Sequence, residues 1–172
     1  RVAEARMNDP DALEQLFRDR WVEMVRLARL LTGSTAGAED LVQDAFVRLY
    51  VRWGGLRRID RPGAYLRTAV LNGCRSQLRH RRVSDRHEAR RTVLAPTATP
   101  ESEALASAEH DRMVGALRSL SGRQREALVL RYYLDLPEAE IAATMGVSPG
   151  SVKTHLHRGL AALAQLLEED DR

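Results

Sequence analysis

The sequence has a single cysteine, Cys74, which excludes intrachain disulfides and cysteine-rich metal sites. Cys74 itself reads as a small buried apolar residue. No apolar run approaches the roughly 18 residues needed to cross a bilayer, so no direct membrane insertion is expected. The chain starts at Arg1 rather than at a methionine, no signal peptide is visible, and a cytoplasmic location is expected. Strand-type alternation of useful length is absent, which leaves helices as the building material. Lysine is nearly missing too: Lys153 is the only one among 27 basic residues. With so much alanine beside it, this preference for arginine follows genomic base composition rather than a choice of guanidinium chemistry. A Gly-rich phosphate loop and a nucleophile elbow are both lacking. His155 and His157 stand two apart, so on a helix they diverge instead of chelating as an i, i+4 pair would. Asp40 and Asp44 without further ligands make a poor cation site. The chain is therefore expected not to be an enzyme, with no catalytic residues, no metal and no cofactor.

Apolar residues at 44% and charged residues at 30% describe a soluble globular chain, and 172 residues suffice for one medium or two small domains. A net charge of +3 says little by itself; where the charges fall says more. Leu13, Leu16, Phe17, Met24, Leu27 and Leu31 recur along one helix face, and Gly33 ends that helix. Ser34 and Thr35 can cap the next, whose stripe is Val42, Ala45, Phe46, Leu49 and Trp53, broken by Gly54 and Gly55. Pro62 suits the first turn of a third helix running to about Arg82. Residues 83–107, with Pro96 and Pro100 and little periodicity, read as a flexible extended linker. Helical pattern resumes at Met113 with Leu117 and Leu120. A further helix covers Arg123 to about Tyr133, a short one Pro137 to Met145, and a last one starts at Pro149. The predicted fold is all-α: two small helical domains, 1–82 and 108–172, joined by that linker.

The sharpest constellation runs from Pro137 to Lys153. A short helix, a tight turn at Gly146 and a second helix with Ser148 as N-cap and Pro149 as first residue make a helix-turn-helix. Ile141, Met145, Val147 and Val152 are placed to form its small core. On a wheel of the last helix, Val152, Leu156, Leu160, Leu163 and Leu167 fall on one side. Ser151, Thr154 and Arg158 lie opposite, flanked by Lys153, His157 and His155. Hydroxyls, cations and imidazoles on one exposed face suit base edges and phosphates in a major groove. A solvated face that binds nothing leaves the turn and the Ser-Pro cap unexplained. Arg131, one helix earlier, reads either as a phosphate contact or as a surface arginine.

In the first half, the second helix carries Asp40, Gln43, Asp44, Val47 and Val51 opposite its core stripe. Carboxylates beside exposed valines suit a protein-docking patch with a charged rim, or a solvated face with two incidental valines. On the third helix, Tyr65, Asn72, Ser76 and Arg79 form one stripe within a segment that also holds Arg57, Arg58, Arg61, Arg67, Arg75, Arg81 and Arg82. An aromatic ring can stack on an unpaired base, Asn and Ser can read its edge, and arginines can hold the backbone. That composition suits single-stranded DNA; a basic solvated helix with one semi-buried Tyr is the alternative.

These pieces in this order resemble the extracytoplasmic-function (group 4) sigma factors of the sigma-70 family. Ala38-Glu39-Asp40-Leu41-Val42-Gln43-Asp44-Ala45-Phe46 resembles the family's region-two helix, which docks on the beta-prime clamp helices of RNA polymerase. Ala64-Tyr65-Leu66-Arg67-Thr68-Ala69-Val70-Leu71-Asn72-Gly73-Cys74-Arg75 is similar to the segment that melts and reads the minus-ten element. Gln124 to Tyr133 with the helix-turn-helix resembles region four, which binds the minus-thirty-five element and the beta flap. The resemblance implies Asn72 and Arg75 against the minus-ten strand and Arg57 to Pro62 as a loop around a flipped base. It also implies Ser151, Lys153, Thr154, His155, His157 and Arg158 on the minus-thirty-five duplex, with His155 standing where the family often has arginine. Implied partners are RNA polymerase core, promoter DNA and an anti-sigma factor. Without polymerase, the two halves are expected to pack loosely or be held by an inhibitor. A helix-turn-helix regulator that is not a polymerase subunit is the alternative, and the first half argues against it: it lacks a receiver domain's alternating strands and acidic pocket.

Overall fold

The computed structural model of the chain describes residues 10–53, 59–88 and 104–170. Helices α1 (Pro10–Thr32), α2 (Ala38–Trp53) and α3 (Pro62–Glu88) form the first half. The second half comprises α4 (Ala104–Ser119), α5 (Gly122–Leu128), a π-helical turn (Val129–Tyr133), α6 (Glu138–Met145) and α7 (Pro149–Asp170). Among the described residues there is no strand, as the missing alternation predicts.

The first half is a three-helix bundle built from one apolar stripe per helix. Met24, Leu27 and Leu31 of α1 are buried with Val42, Phe46 and Leu49 of α2 and with Leu66, Val70 and Cys74 of α3. Burying each large side chain in this way contributes about 1.5–3 kcal/mol. Phe17, although partly exposed, joins Trp21 and Phe46 in an aromatic cluster, its ring centroid 4.9 Å from each. Positive φ angles at Gly33 (65°) and Gly37 (76°) reverse the chain between α1 and α2.

In the second half, Ser121 and Gln124 make a reciprocal capping box that starts α5. The helix then widens: Leu134 N–H reaches the Val129 carbonyl, a π-type i→i+5 bond at 3.4 Å. Ile141, Met145 and Val152 are buried, as expected for the helix-turn-helix core, with Val147 partly covered.

Two helical domains and a joining segment stand as expected, with α3 continuing to Glu88 and α4 beginning at Ala104, so both helices reach into 83–107. Neither end contains the Pro or Gly that stops a helix, and Ala104, Leu105 and Ala106 are strong helix formers. One expectation changes. The halves do not associate loosely: their buried residues form one contiguous cluster, and α1 and α3 contact the second half directly. Arg125 donates to the Leu31 carbonyl at 2.7 Å and the Tyr133 hydroxyl to the Glu23 carbonyl at 3.2 Å. Two ion pairs, Arg67–Glu140 and Arg75–Glu126, close the same seam. The polar groups of α5 and α6 that a sequence assigns to solvent are partnered by the other half.

Candidate nucleic-acid and docking interfaces

The helix-turn-helix owes its angle to Gly146. Its φ of 69° is left-handed, its N–H closes α6 onto the Ala142 carbonyl at 2.9 Å, and Val147 N–H shares that acceptor at 3.1 Å. Ser148 then caps α7, its Oγ accepting the Ser151 N–H at 3.1 Å and lying 2.9 Å from the Ser151 hydroxyl. Lys153, Thr154, His157 and Arg158 are exposed on α7, and Ser151 and His155 are partly so. Thr154 Oγ1 donates to the Gly150 carbonyl at 3.1 Å, and Lys153 Nζ lies 3.8 Å from a Glu138 carboxylate oxygen. All six side chains expected to face a duplex are thus at least partly accessible on α7.

The buried side of α7 differs from the wheel in one respect. Leu160 is 43% exposed, and Gly159 takes its place in the seam. A Cβ at Gly159 would lie 3.1 Å from Leu128 Cδ1 and 3.3 Å from Gln124 Cβ, so the glycine sets how closely α7 approaches α5. Arg131 is engaged too: its Nη1 donates to the Leu136 carbonyl at 3.0 Å and braces the turn before α6.

Along α3, Tyr65 and Ser76 are partly buried while Asn72 and Arg79 are exposed, as is Arg61 just before the helix. The Arg52 guanidinium carbon lies 5.5 Å from the Tyr65 ring centroid, covering one face of the ring with a cation. Arg75 is not open to solvent in the same way. Its Nε and Nη2 donate to the two Glu126 oxygens at 2.7 Å each, and its Nη1 to Asn72 Oδ1 at 3.2 Å. Arg57 and Arg58 lie outside the described residues.

On α2, Asp40, Gln43, Asp44 and Val47 are all exposed, together with Tyr50 and Val51 at 67% and 68%. Asp40, Asp44 and Arg48 of α2 and Gly73 and Gln77 of α3 line a cleft of about 300 Å³ between the two helices. The small Gly73 permits this close packing, since a Cβ there would sit 3.0 Å from Leu41. A patch of apolar side chains bordered by carboxylates and a cleft can receive a basic or apolar segment of another protein.

Sequence reasoning missed Tyr50 on this face and the groups that join the halves: Arg67, Arg125, Glu126, Tyr133 and Glu140. Tyr50 is legible on a wheel, one position round from Val47. Arg125 and Glu126 carry a weaker signal, as adjacent charges immediately before the apolar Ala127–Leu130 run. No group of three or more His, Cys, Asp or Glu able to hold a metal occurs among the described residues, and no described helix is long and apolar enough to cross a membrane.

Comparison with known proteins agrees with this geometry. The family profile described as Sigma-70 region 2 matches residues 16–83, and that described as Sigma-70, region 4 matches residues 110–163. The chain is 34% identical over 158 residues to an RNA polymerase sigma-E factor of Streptomyces avermitilis, covering 92% of this chain and 86% of the relative. Among solved structures it resembles the sigma factor RpoE of Bartonella quintana, in complex with the anti-sigma factor NepR (TM-score 0.73, 25% identity, 90% of this chain and 96% of that one). It likewise resembles CnrH in complex with the cytosolic domain of CnrY (TM-score 0.72, 26% identity, 98% and 95%). A region 2 bundle and a region 4 helix-turn-helix in one chain, in that order, place it among the RNA polymerase sigma factors: the chain belongs to the extracytoplasmic-function branch of the sigma-70 family.

Proposed function

We propose that this chain binds RNA polymerase core in the cytoplasm and directs it to promoters by holding two separate elements. The observation that carries the reading is the capped α7, whose accessible Ser151, Lys153, Thr154, His155, His157 and Arg158 sit on a helix-turn-helix in the same chain as a region 2 bundle. Residues 108–172 are the duplex-binding domain for the minus-thirty-five element, with Arg131 aiding by bracing the turn. Residues 1–82 are the core-binding and minus-ten domain. In it, Asp40, Gln43, Asp44 and Val47 of α2 dock on the beta-prime clamp helices, and the second domain meets the beta flap.

Tyr65, Asn72, Arg75, Ser76 and Arg79 of α3, with Arg57, Arg58 and Arg61 earlier in the sequence, take the unpaired non-template strand. Stacking and backbone contacts to that strand favour the opened duplex, so melting draws on binding free energy rather than on a covalent reaction. An anti-sigma partner follows from the likeness to proteins whose structures hold NepR and CnrY.

Run-off transcription with purified core on a library of promoters tests this directly. Core-dependent transcripts enriched for two spaced elements are expected. Specific duplex binding with no stimulation of core would instead make the chain a helix-turn-helix regulator.

A further inference from the structure

We propose that the turn after α1 carries a binding site for a small phosphate-class oxyanion, held by Arg82, Arg118 and the Nε–H of Arg125 beside Ser34.

Arginines from three other helices converge on this one reversal of the chain. Arg125 of α5 donates to the Leu31 carbonyl at 2.7 Å. Arg81 of α3 reaches Ser34 Oγ at 3.3 Å and the Ala36 carbonyl at 3.4 Å. Arg118 of α4 lies across Gly33 so closely that a Cβ there would overlap its Cγ and Cδ. Arg82 follows Arg81, and both Arg82 and Arg118 are within electrostatic reach of Arg125. Among the described residues, no carboxylate pairs with Arg81, Arg82 or Arg118. Glu126, which offsets part of the charge felt by Arg125, already serves Arg75 and Arg123.

Helix capping accounts for only part of this cluster. Arg125 and Arg81 spend donors on carbonyl oxygens, as cations at helix C-termini do. Arg82 and Arg118 are exposed and make no hydrogen bond or ion pair. Arg125 is 7% exposed, yet its Nε–H is buried without a partner. An unpaired buried donor costs free energy, and so does crowding four cations together. One oxyanion beside them offsets both. A carboxylate is planar and singly charged, whereas a phosphate monoester or inorganic phosphate carries nearly two charges at neutral pH and three or more acceptor oxygens. It can therefore accept from Arg82, Arg118 and Arg125 Nε at once through charge-assisted bonds. The Ser34 hydroxyl accepts from Arg81 and keeps its own proton to donate.

The test uses the full chain in phosphate-free buffer at neutral pH, with inorganic phosphate added during thermal unfolding. Sodium chloride of equal ionic strength is the control. Phosphate is expected to raise the midpoint saturably, by roughly 4 °C at about twenty times its dissociation constant. Arg82→Gln and Arg118→Gln should each weaken phosphate at least about tenfold. Without phosphate, both variants should unfold no lower than wild type, since each removes a crowding cation. A side chain that only held the fold together would lower the midpoint instead. Equal protection by adenosine monophosphate extends the site to nucleotides, and protection by inorganic phosphate alone confines it to the free ion; both uphold it. An equal rise with chloride, or an undiminished phosphate response in both glutamine variants, overturns the site. Protection by an oligodeoxynucleotide lacking terminal phosphates, with none by phosphate, also overturns it and makes the cluster a nucleic-acid backbone contact.

Discussion

Arg125 reaches out of α5 to donate to the carbonyl of Leu31 at 2.7 Å, at the far end of α1. Its Nη2 serves the carbonyls of Arg118, in the last turn of α4, and of Leu120, just beyond that helix. Leu31 and Arg118 are terminal helix carbonyls left without an intrahelical donor, and one guanidinium serves all three acceptors. Burial, together with the nearby positive charges of Arg118 and Arg82, lowers the affinity of Arg125 for its proton, and Glu126 offsets part of that. Arg125→Met is expected to destabilise the chain by about 3 kcal/mol, because three acceptors lose a charged donor. Arg125→Lys, which keeps the charge but not the fork, should recover part of the loss. Urea unfolding midpoints decide; a midpoint within error of wild type for the Met variant would remove Arg125 from the joint.

Asp44 stands exposed beside Val47 on the outer face of α2. Asp44→Arg reverses the charge at the rim of the docking patch and should weaken binding to polymerase core on the order of tenfold. Duplex binding by α7, in the other domain, should not change. Competition for core against an unlabelled wild-type chain measures the first quantity, and equal competition by the variant would exclude this face.

Arg158 lies on the accessible side of α7, nearly three turns from its cap. Arg158→Ala should lower affinity for a minus-thirty-five duplex and reduce the slope of log K against log salt by about 1, as one phosphate contact is lost. A slope that stays the same would mean that Arg158 touches no phosphate.

Burial pushes the Cys74 thiol from its ordinary 9.0 up to about 12, with the Glu126 carboxylate adding to the shift and a backbone hydrogen bond opposing it. In the unfolded chain the thiol ionises near 9.0, so between there and about 12 only the unfolded state releases the proton. Stability from this group is complete below pH 9 and is lost as pH climbs through that window. By pH 10 the loss should be about 1 kcal/mol relative to pH 7. Burial also raises the Tyr133 hydroxyl, which acts in the same direction at higher pH. Cys74→Ala keeps the tyrosine effect and lacks the thiol effect, so the difference between the two denaturation-versus-pH curves isolates it. Parallel curves would contradict the burial argument.

Much of this molecule was written in local pattern. Period-3.6 stripes marked the helices, the Gly146 and Ser148-Pro149 signals marked the helix-turn-helix, and the wheel of α7 named its accessible face. The wheel failed at Leu160 because amphipathicity counts apolar residues and cannot know that Gly159 lets a neighbouring helix close in. Helix ends moved at Glu88 and Ala104, where composition rather than a stop signal decides. The joint between the domains was invisible for a different reason. Arg75 and Glu126 are 51 positions apart, and each looks like a surface charge until the other is brought to it. Charge pairing across a seam has no period along the chain.

The π-helical turn at Val129–Tyr133 bears on how the chain tolerates changes of length. A π turn stores one residue more than the α-helical turn it replaces, and its flanks stay in phase. Removing one residue there would tighten the turn to ordinary α geometry while α6 and α7 kept their heading. In α5 or α6, the same deletion would swing everything after it by about 100°. A single-residue deletion at this turn is thus absorbed where it occurs, immediately upstream of the helix-turn-helix.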